Sequence, residues 1–488
     1  MKKAPQLRRI STGITGYDEI MTGGFVANRS YLIRGGPGVG KTIMGLHFLA
    51  AGITQGETCL FISLGEPEEE LRKNAEQLGF DLTNIHFLDL SPTSEFFTAA
   101  QTYDIFAPAE VEREPTTHRI MGAVKELHPT RVFADAMTQF RYLATDAFQF
   151  RKQVLSFLRF LIEQGATVVF SSESSATMPD DDLQFLADGV ITLEAAPEGR
   201  MLTVSKLRGS KYRSGRHAYS ITEQGMQVFP RLLPGSYGRE FVPETIPSGV
   251  PELDDLLLGG LERGTITLLT GPTGVGKTTL GTQFVKEAAL RGERSVVYLF
   301  DESLDTFLTR SSNVSIPLQS VMEQGTLSVV EVEPLHYTPD EFANLVRAEV
   351  EMRNVRIIML DSIAGYRLSL RGEDLASHLH ALGRYLKNMG VTLLLLTEVE
   401  YVTGEFRVTD VGVSYLADNV VFLRYLEVHG EIRKAIGVLK KRTSDFEKTL
   451  REFSITRDGL KVGKPLTELR GILRGVPEWV EPPYVREG

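Results

Sequence analysis

The sequence is almost without cysteine, since Cys59 is the single one among 488 residues. One thiol can form neither a disulfide within the chain nor a zinc site built from several cysteines, which excludes disulfide-stapled and zinc-stapled folds. Cys59 lies in the apolar run 59–62. We therefore expect it to be a buried strand residue of a protein in a reducing compartment.

Long apolar runs are also missing, because none approaches the roughly 20 residues that a membrane span needs. The basic residues near the start are not followed by the apolar segment of a secretory signal. We therefore expect no membrane association and a cytoplasmic location. The net charge of −10 disfavours a general nucleic-acid binder, which usually presents a basic face, but it leaves a local basic channel open.

What the sequence does contain is a phosphate-binding motif, and it contains it twice. Residues 35–42 and 271–278 both match Gly-x-x-x-x-Gly-Lys-Ser/Thr, and each follows an apolar run and precedes a segment with helical periodicity. That strand–loop–helix context is what distinguishes a P-loop from a chance glycine turn. In a P-loop, backbone N–H groups and the positive end of the helix bind phosphate oxygens.

The P-loops predict two ATP sites, each with a bound Mg²⁺. The lysine is expected to reach the β- and γ-phosphates, and the hydroxyl of the last residue to bind the metal ion. The residues predicted to bind nucleotide are Gly36, Pro37, Gly38, Val39, Gly40, Lys41 and Thr42 in the first copy, and Pro272, Thr273, Gly274, Val275, Gly276, Lys277 and Thr278 in the second.

Other landmarks repeat with the spacing of the P-loops. Lys277 follows Lys41 by 236 residues, and the same spacing separates Glu302 from Glu66 and the Gly-Gly pair at 259–260 from that at 23–24. We infer a duplicated NTPase. The predicted parts are a first domain at 1–232, a linker at 233–245, a second domain at 246–462 and a tail at 463–488.

Each half alternates near-continuous apolar runs with helical patterns, which is typical of a mostly parallel sheet with helices on both faces. The last two runs of the first half, 189–193 and 201–206, flank a turn and predict an antiparallel addition that finishes the domain. The runs 420–423 and 435–440 do the same in the second half. Periodicity lapses at 102–117, which indicates a loop.

Carboxylates are placed where catalysis on a nucleotide needs them. Asp135 and Asp361 end apolar strands, where a Walker-B aspartate supports Mg²⁺. Glu66 in the first domain, with Asp301 and Glu302 in the second, follows the strand whose end should face the γ-phosphate, where a general base can take a proton. Gly65 stands in the place of Asp301, and solvated loop acids are the alternative interpretation.

A Lys-x-Arg motif ends the last predicted strand of each half. Lys206 and Arg208 in the first domain correspond to Lys440 and Arg442 in the second. Such a pair can reach the nucleotide of a neighbouring subunit and neutralise charge in the transition state, as an arginine finger does. From the motif alone, a solvated strand end is an equally good interpretation.

This order of parts resembles the RecA-like ATPases and, within them, the KaiC family of circadian-clock proteins, over roughly residues 10–460. The resemblance implies two tandem RecA-like P-loop domains and a homohexamer of two stacked rings with ATP at the subunit interfaces. It also implies Lys-x-Arg motifs that act across those interfaces. The first ring would act chiefly as an ATPase, and the second would phosphorylate itself on adjacent Ser and Thr residues. That pair falls on Ser414 and Tyr415, so we expect Ser414 to be the phosphoacceptor.

Three functions therefore compete. The first is an ATP-hydrolysing, self-phosphorylating ring for signalling or timing, with a regulatory partner at the tail left open. The second is a RecA- or DnaB-like DNA motor, for which the aromatic and basic residues at 139–142 and 366–367 would be the channel loops. The third is a nucleotide-gated scaffold without turnover, suggested by Gly65. Steady-state ATP turnover and salt-dependent binding of single-stranded DNA would separate them.

Overall fold

The computed structural model of the chain describes residues 7–91, 110–141, 144, 146–173, 181–371, 374–399, 415–474 and 477–479. The chain forms two compact units, Met1–Arg231 and Leu232–Gly488. Ser414 and Tyr142, which carry two of the predictions above, lie outside the described residues. In the described parts, no helix is both long enough and apolar enough to cross a lipid bilayer.

The first unit is built on one large twisted sheet with helices on both sides. Its described strands are β1 (Arg9–Ile10), β2 (Phe25–Val26), β3 (Ser30–Gly35), β4 (Cys59–Ser63), β5 (His86–Asp89), β6 (Arg131–Asp135), β7 (Thr167–Glu173), β8 (Gly189–Ala196), β9 (Gly199–Leu207), β10 (Arg216–Thr222) and β11 (Gly225–Phe229). Its described helices are α1 (Tyr17–Ile20), α2 (Lys41–Thr54), α3 (Glu68–Gln77), α4 (Glu110–Leu127), α5 (Ala147–Glu163) and α6 (Asp181–Leu186), with a 3₁₀ turn at Met137–Arg141.

The second unit repeats this arrangement. Its described strands are β12 (Thr245–Ile246), β13 (Leu261–Glu262), β14 (Ile266–Gly271), β15 (Ser295–Leu299), β16 (Leu327–Glu331), β17 (Ile357–Asp361), β18 (Thr392–Glu398), β19 (Asn419–Val428), β20 (Glu431–Lys441), β21 (Arg451–Thr456), β22 (Gly459–Pro465), β23 (Leu469–Arg470) and β24 (Glu478–Trp479). Its described helices are α7 (Pro251–Leu256), α8 (Lys277–Leu290), α9 (Leu304–Asn313), α10 (Gln319–Glu323), α11 (Pro339–Met352), α12 (Ile363–Ser369) and α13 (Leu375–Asn388).

The two large sheets share one topology. The strand order is β11-β10-β9-β8-β3-β7-β6-β4-β5 in the first unit and β22-β21-β20-β19-β14-β18-β17-β15-β16 in the second. The strands from β8 to β5, and from β19 to β16, pair in parallel, and the remaining pairs are antiparallel. The α/β fold with an antiparallel addition in each of two tandem domains is confirmed.

Two expectations about elements were wrong. Helix α4 begins at Glu110, inside the predicted loop. The loop was predicted because apolar residues are sparse there and Pro115 interrupts the helical pattern. The acidic residues at the start of the segment nevertheless favour a helix N-terminus. The domains also do not finish at β9 and β20, because two more antiparallel strands follow each of them. Those strands are short, lie at the edge of the sheet and close through two-residue turns, so their apolar pattern is weak.

The central strands are buried on both faces. In the first unit, one apolar cluster includes Phe48 and Phe133, and the other includes Phe150 and Phe170 on the opposite side of the sheet. The second unit has an equivalent pair of clusters. Burial of both faces explains why the central parallel strands read as unbroken apolar runs and were located from sequence. The outermost parallel strands, β5 and β16, are only partly buried and were not predicted.

Residues assigned to the linker and tail pack within the second unit. The Tyr237 ring meets that of Tyr385 edge-on, with centroids 5.2 Å apart. Beyond β22, strands β23 and β24 pair with each other, and Arg424 Nη1 donates to the carbonyl oxygen of Leu473 at 2.5 Å.

Candidate nucleotide-binding site

Each P-loop follows the central strand of its sheet and leads directly into a helix. β3 ends at Gly35 and α2 begins at Lys41; β14 ends at Gly271 and α8 begins at Lys277. The residue before each helix is a glycine in the left-handed region, Gly40 with φ 98° and the equivalent glycine with φ 117°. A side chain would strain this turn, which aims the first backbone N–H groups of the helix at the loop.

The two P-loop lysines are buried inside their loops. Lys41 Nζ donates to the carbonyl oxygens of Gly35 at 3.1 Å and Gly36 at 2.8 Å. Lys277 Nζ makes the equivalent pair of bonds, both at 2.9 Å. Burial lowers the pKa of Lys277, and the carboxylates of Glu398 and Asp361 oppose that effect. The loops therefore hold their cations where phosphate oxygens would converge.

Side chains from the antiparallel strands brace each P-loop, and these were missed in the sequence. Arg200 Nη1 donates to the Gly38 carbonyl at 2.7 Å, and Lys434 Nζ donates to the Gly274 carbonyl at 3.2 Å. A tyrosine hydroxyl bonds a neighbouring loop carbonyl in each domain, from Tyr219 and from Tyr425. Arg200 and Lys434 each stand six residues before the Lys-x-Arg lysine, a regularity that could have identified them.

The predicted metal ligands of the first domain meet directly. Thr42 Oγ1 donates to Asp135 Oδ2 at 2.5 Å, and the Ser171 hydroxyl donates to the other oxygen of the same carboxylate. Desolvation raises the pKa of Asp135, and these two hydrogen bonds and Lys41 oppose that effect.

In the second domain, one oxygen of the Asp361 carboxylate is suited to binding a cation. Burial raises the pKa of Asp361 to about 6, against hydrogen bonding from Thr278. Its Oδ2 is buried and has no hydrogen-bond partner within the described residues. A buried carboxylate beside a threonine hydroxyl is the donor set that Mg²⁺ prefers, so these residues fit the metal ion.

The predicted general bases differ in their surroundings. Partial burial, together with the carboxylates of Asp135, Glu70 and Glu173, raises the pKa of Glu66. Burial also raises the pKa of Glu302, but Arg310 opposes it through a salt bridge of 2.6 Å.

Asp301 accepts a hydrogen bond from the Ser362 hydroxyl at 2.7 Å. That hydroxyl also caps helix α12 by accepting from the Gly365 N–H at 3.1 Å. The Asp301 carboxylate is thereby tied to the segment that follows the Walker-B aspartate.

A further carboxylate stands beside each P-loop and was given no role from sequence. Glu173 ends β7 in register with Gly35, and Glu398 ends β18 in register with Gly271. Glu398 lies 3.8 Å from Lys277 Nζ.

The Lys-x-Arg motifs lie near the opposite end of the parallel strands from the P-loops, where these strands begin. Lys206 pairs with Val190 of β8, which pairs with Leu32 near the start of β3. Lys206 Nζ donates to the Gln184 carbonyl at 2.7 Å, and Arg208 lies 3.8 Å from Asp188. Burial and the nearby Arg208 lower the pKa of Lys206.

The second domain has the same arrangement. Lys440 Nζ donates to the Ala417 carbonyl at 2.6 Å, and Arg442 lies 3.5 Å from Asp418. Arg442 Nη2 also donates to the carbonyl oxygen of Tyr415 at 3.2 Å.

One cavity in the first domain, of about 490 Å³, collects the predicted nucleotide, metal and base residues. Its lining includes Lys41, Thr42, Glu66, Asp135 and Glu173. Lys206 and Arg208 are not part of that lining.

The candidate channel residues do not present a loop in the described part of the chain. The Phe140 ring packs on Phe157, and the Arg141 guanidinium lies 4.9 Å from the centre of the Phe150 ring. In the second domain, Tyr366 is buried.

Comparison with known proteins agrees with this geometry. The family model described as the KaiC ATPase matches residues 10–232 and 246–467. The chain is similar to the circadian clock protein KaiC3 of Synechocystis sp., at 28% identity over 96% of this chain and 95% of that protein. It is also similar to the circadian clock oscillator proteins KaiC of Synechococcus elongatus, at 27% over 96% and 92%, and of Parasynechococcus marenigrum, at 26% over 97% and 94%.

Proposed function

The chain belongs to the KaiC family of ATPases, and from this premise we propose that it hydrolyses ATP with Mg²⁺ and phosphorylates itself on Ser414. We further propose that it does so as a cytoplasmic homohexameric ring in signalling or timing. The observation that carries the proposal is the single cavity lined by Lys41, Thr42, Asp135 and Glu66. It unites a phosphate-binding lysine, two metal ligands and a general base.

Binding of ATP follows from the loop. Backbone N–H groups at the start of α2 and α8 donate to phosphate oxygens, and Lys41 or Lys277 exchanges its loop carbonyls for the β- and γ-phosphates. Thr42 with Asp135, and Thr278 with Asp361, would hold Mg²⁺ in their respective domains, where the ion would supply positive charge beside the transferred phosphoryl group.

Hydrolysis needs a base for the attacking water, and Glu66 is suited to it. A carboxyl group whose pKa is raised is a stronger base than an ordinary surface glutamate. Glu66 owes the raised pKa to partial burial and to neighbouring carboxylates. It therefore accepts the water proton as the oxygen attacks the γ-phosphorus.

The position of the Lys-x-Arg motifs supports assembly into a ring. Lys206 is level with Leu32 of β3, and strand β8 lies between them. The P-loop begins where β3 ends at Gly35, three residues further along the strand. Three residues of strand span about 10 Å, and the motif continues away from the loop. Lys206 and Arg208 are thus suited to the nucleotide of a neighbouring subunit, and the equivalent register in the second domain supports the same role for Lys440 and Arg442.

The same edge supports self-phosphorylation. Tyr415, the residue after the predicted acceptor Ser414, accepts a hydrogen bond from Arg442 through its carbonyl oxygen, so Tyr415 lies beside the arginine that would face the next subunit. Asp301 or Glu302 of that neighbouring site would take the serine proton, and the hydroxyl oxygen would then attack the γ-phosphorus. Tyr415 is longer and would place its oxygen far from the position that suits serine.

ATP turnover tests the first half of the proposal. Lys41→Ala and Lys277→Ala should each abolish nucleotide binding in their own domain only, because each removes a phosphate-facing charge. With the second site silenced by Lys277→Ala, Glu66→Gln should lower turnover about 100-fold, the scale of a lost general base. Unchanged turnover in Glu66→Gln would make the first domain a nucleotide-gated scaffold.

Phosphosite mapping by mass spectrometry after incubation with Mg-ATP tests the second half. We expect one phosphate per subunit on Ser414, absent in Ser414→Ala and in the double variant Asp301→Asn/Glu302→Gln. Tyr415→Phe should still be modified. Phosphate on Tyr415 alone, or none on this segment, would contradict self-phosphorylation on serine.

A further inference from the structure

At two positions beside the predicted γ-phosphate site, one domain has a glycine where the other has a polar side chain. At the second of these positions the order is reversed. Gly65 and Asp301 are equivalent, since they precede Glu66 and Glu302. Gln139 and Gly365 are also equivalent, since each follows its Walker-B aspartate by four residues. Each domain therefore has one glycine and one polar residue at this pair of positions, with the two places reversed.

In the first domain, the glutamine borders the space that the glycine leaves. A Cβ added to Gly65 would lie 3.6 Å from Gln139 Nε2 and, apart from the adjacent residues of the chain, would meet no other described atom within 4 Å. Gln139 lies in the 3₁₀ turn Met137–Arg141, where its N–H donates to the Ala136 carbonyl at 3.1 Å. Gly65, Glu66 and Gln139 all line the cavity that contains the P-loop lysine.

In the second domain, the carboxylate takes the space beside the glycine. A Cβ added to Gly365 would lie 2.5 Å from Asp301 Oδ2, 2.6 Å from Oδ1 and 2.5 Å from Phe300 Cβ. Such distances are too short for any contact to carbon, so Asp301 and Phe300 together leave room only for glycine at this position. One domain therefore places an amide from the segment after β6 beside this space, and the other a carboxylate that follows β15.

We propose that Gln139 is a catalytic residue of the first domain, whose amide orients the attacking water beside Glu66. This rests on the proposed ATP hydrolysis at that site. Glu66 accepts one water proton, while Gln139 Oε1 accepts a hydrogen bond from the other water hydrogen and Nε2 donates to a γ-phosphate oxygen. The water oxygen forms a bond to the γ-phosphorus, and the bond to the bridging oxygen breaks with its electron pair staying on ADP. The proton on Glu66 then passes to the released phosphate.

An amide is suited to this place because it donates and accepts at once and carries no charge. A second carboxylate there could only accept and would repel the γ-phosphate. In the second domain, where the proposed nucleophile is a serine hydroxyl, the carboxylate of Asp301 stands in the same space.

The test measures ATP turnover in the full chain with Lys277→Ala, so that hydrolysis comes from the first site. Gln139→Ala should lower kcat about 100-fold, as loss of one oriented polar group does, and leave the affinity for ATP unchanged. Gln139→Glu, which keeps the shape, should lose the same activity because it cannot donate at neutral pH. Gln164→Ala, an exposed glutamine at the end of α5, is the matched control.

A transplant separates a chemical role of the amide from a role in filling space. Gln139→Gly should be as impaired as Gln139→Ala, and adding Gly65→Asp should not restore the turnover, because a carboxylate in that space cannot donate a hydrogen bond to the γ-phosphate; recovery would show that Gln139 only fills space. Unchanged kcat in Gln139→Ala and Gln139→Glu would overturn the inference, as would a loss confined to ATP affinity. If Glu66→Gln is also unchanged, hydrolysis at this site fails as a whole; if Glu66→Gln is inactive, only the role of Gln139 fails.

Discussion

Glu66 and Glu302 stand at the same position of two equivalent sites but have different partners. Eight residues after each glutamate, on α3 and α9, the first domain has Asn74 and the second has Arg310. Arg310 binds Glu302 in a salt bridge, whereas Asn74 lines the cavity together with Glu66. The residue at this position therefore contributes to the difference between the two bases, because only Glu302 has a cation that opposes the rise of its pKa.

Exchanging these neighbours should shift the pH dependence of the two sites in opposite directions. Removing a cation raises the pKa of a carboxyl group, so in Arg310→Asn the acidic limb of second-domain activity moves to higher pH. Asn74→Arg lowers the pKa of Glu66, so the acidic limb of first-domain turnover moves to lower pH. The pH–rate profiles are measured with the other site silenced by Lys41→Ala or Lys277→Ala, and shifts of the same sign would contradict the role of these neighbours.

At the scale of elements, the P-loop helix α2 is tied to the edge strand β11 through a histidine. The Met226 N–H donates to His47 Nε2 at 2.8 Å, so that nitrogen must be unprotonated. A Cβ added to Gly225 would lie 2.3 Å from the same nitrogen, which shows how closely strand and imidazole approach. Burial lowers the pKa of His47 to about 4.

This contact predicts that the first domain is destabilised in mild acid. The unfolded chain binds a proton at an ordinary histidine pKa of about 6.5, whereas the folded chain does so only near 4. Stability is therefore full above about pH 6.5 and falls as the pH drops toward 4, by up to about 3 kcal/mol for this group. His47→Gln should reduce that loss, measured by hydrogen exchange of α2 peptides at pH 5 and pH 7. The exposed His86→Gln is the control, and an equal loss in both variants would exclude His47 as the cause.

At the scale of the whole molecule, the Lys-x-Arg cations of both domains lie near the starts of the parallel strands, whereas each P-loop follows the end of a parallel strand. Lys206 and Lys440 occupy the same register relative to the central strand. Arg208 and Arg442 are half-exposed, at 55% and 49% of their side chains. Cations at this level lie away from the P-loop of their own domain, which supports the proposed ring.

Mixing of variants tests assembly and catalysis together. Arg442→Ala should leave nucleotide binding intact but slow second-domain chemistry by roughly 1,000-fold or more, as loss of an arginine finger does. Mixed with Lys277→Ala, it should recover activity, because one subunit then supplies the P-loop and its neighbour supplies the arginine. Arg433→Ala, on the same strand, should need no such rescue. Light scattering that shows a monomer with and without ATP, or mixtures that stay inactive, would contradict the ring.

The sequence by itself was sufficient for the duplicated architecture and for the parts of the site that are continuous in the chain. The P-loops, the strands buried on both faces and the aspartates at strand ends are local patterns, because burial and phosphate binding act on neighbouring residues. The outer antiparallel strands, such as β10 and β21, were missed because their apolar runs are short and interrupted by polar residues. Helix α4 was missed because its first residues lack apolar periodicity.

Only the tertiary structure decided which distant residues share a site. Gln139 and Gly65 lie 74 positions apart in the chain, and their reciprocal relation to Gly365 and Asp301 becomes visible only where the strand ends meet. The brace from Arg200 to the P-loop and the separation of Lys206 from it are likewise set by strand register. Spacing along the chain does not give the distance between two segments that strand pairing brings together. The sheet therefore decides which of these residues lie close to each other.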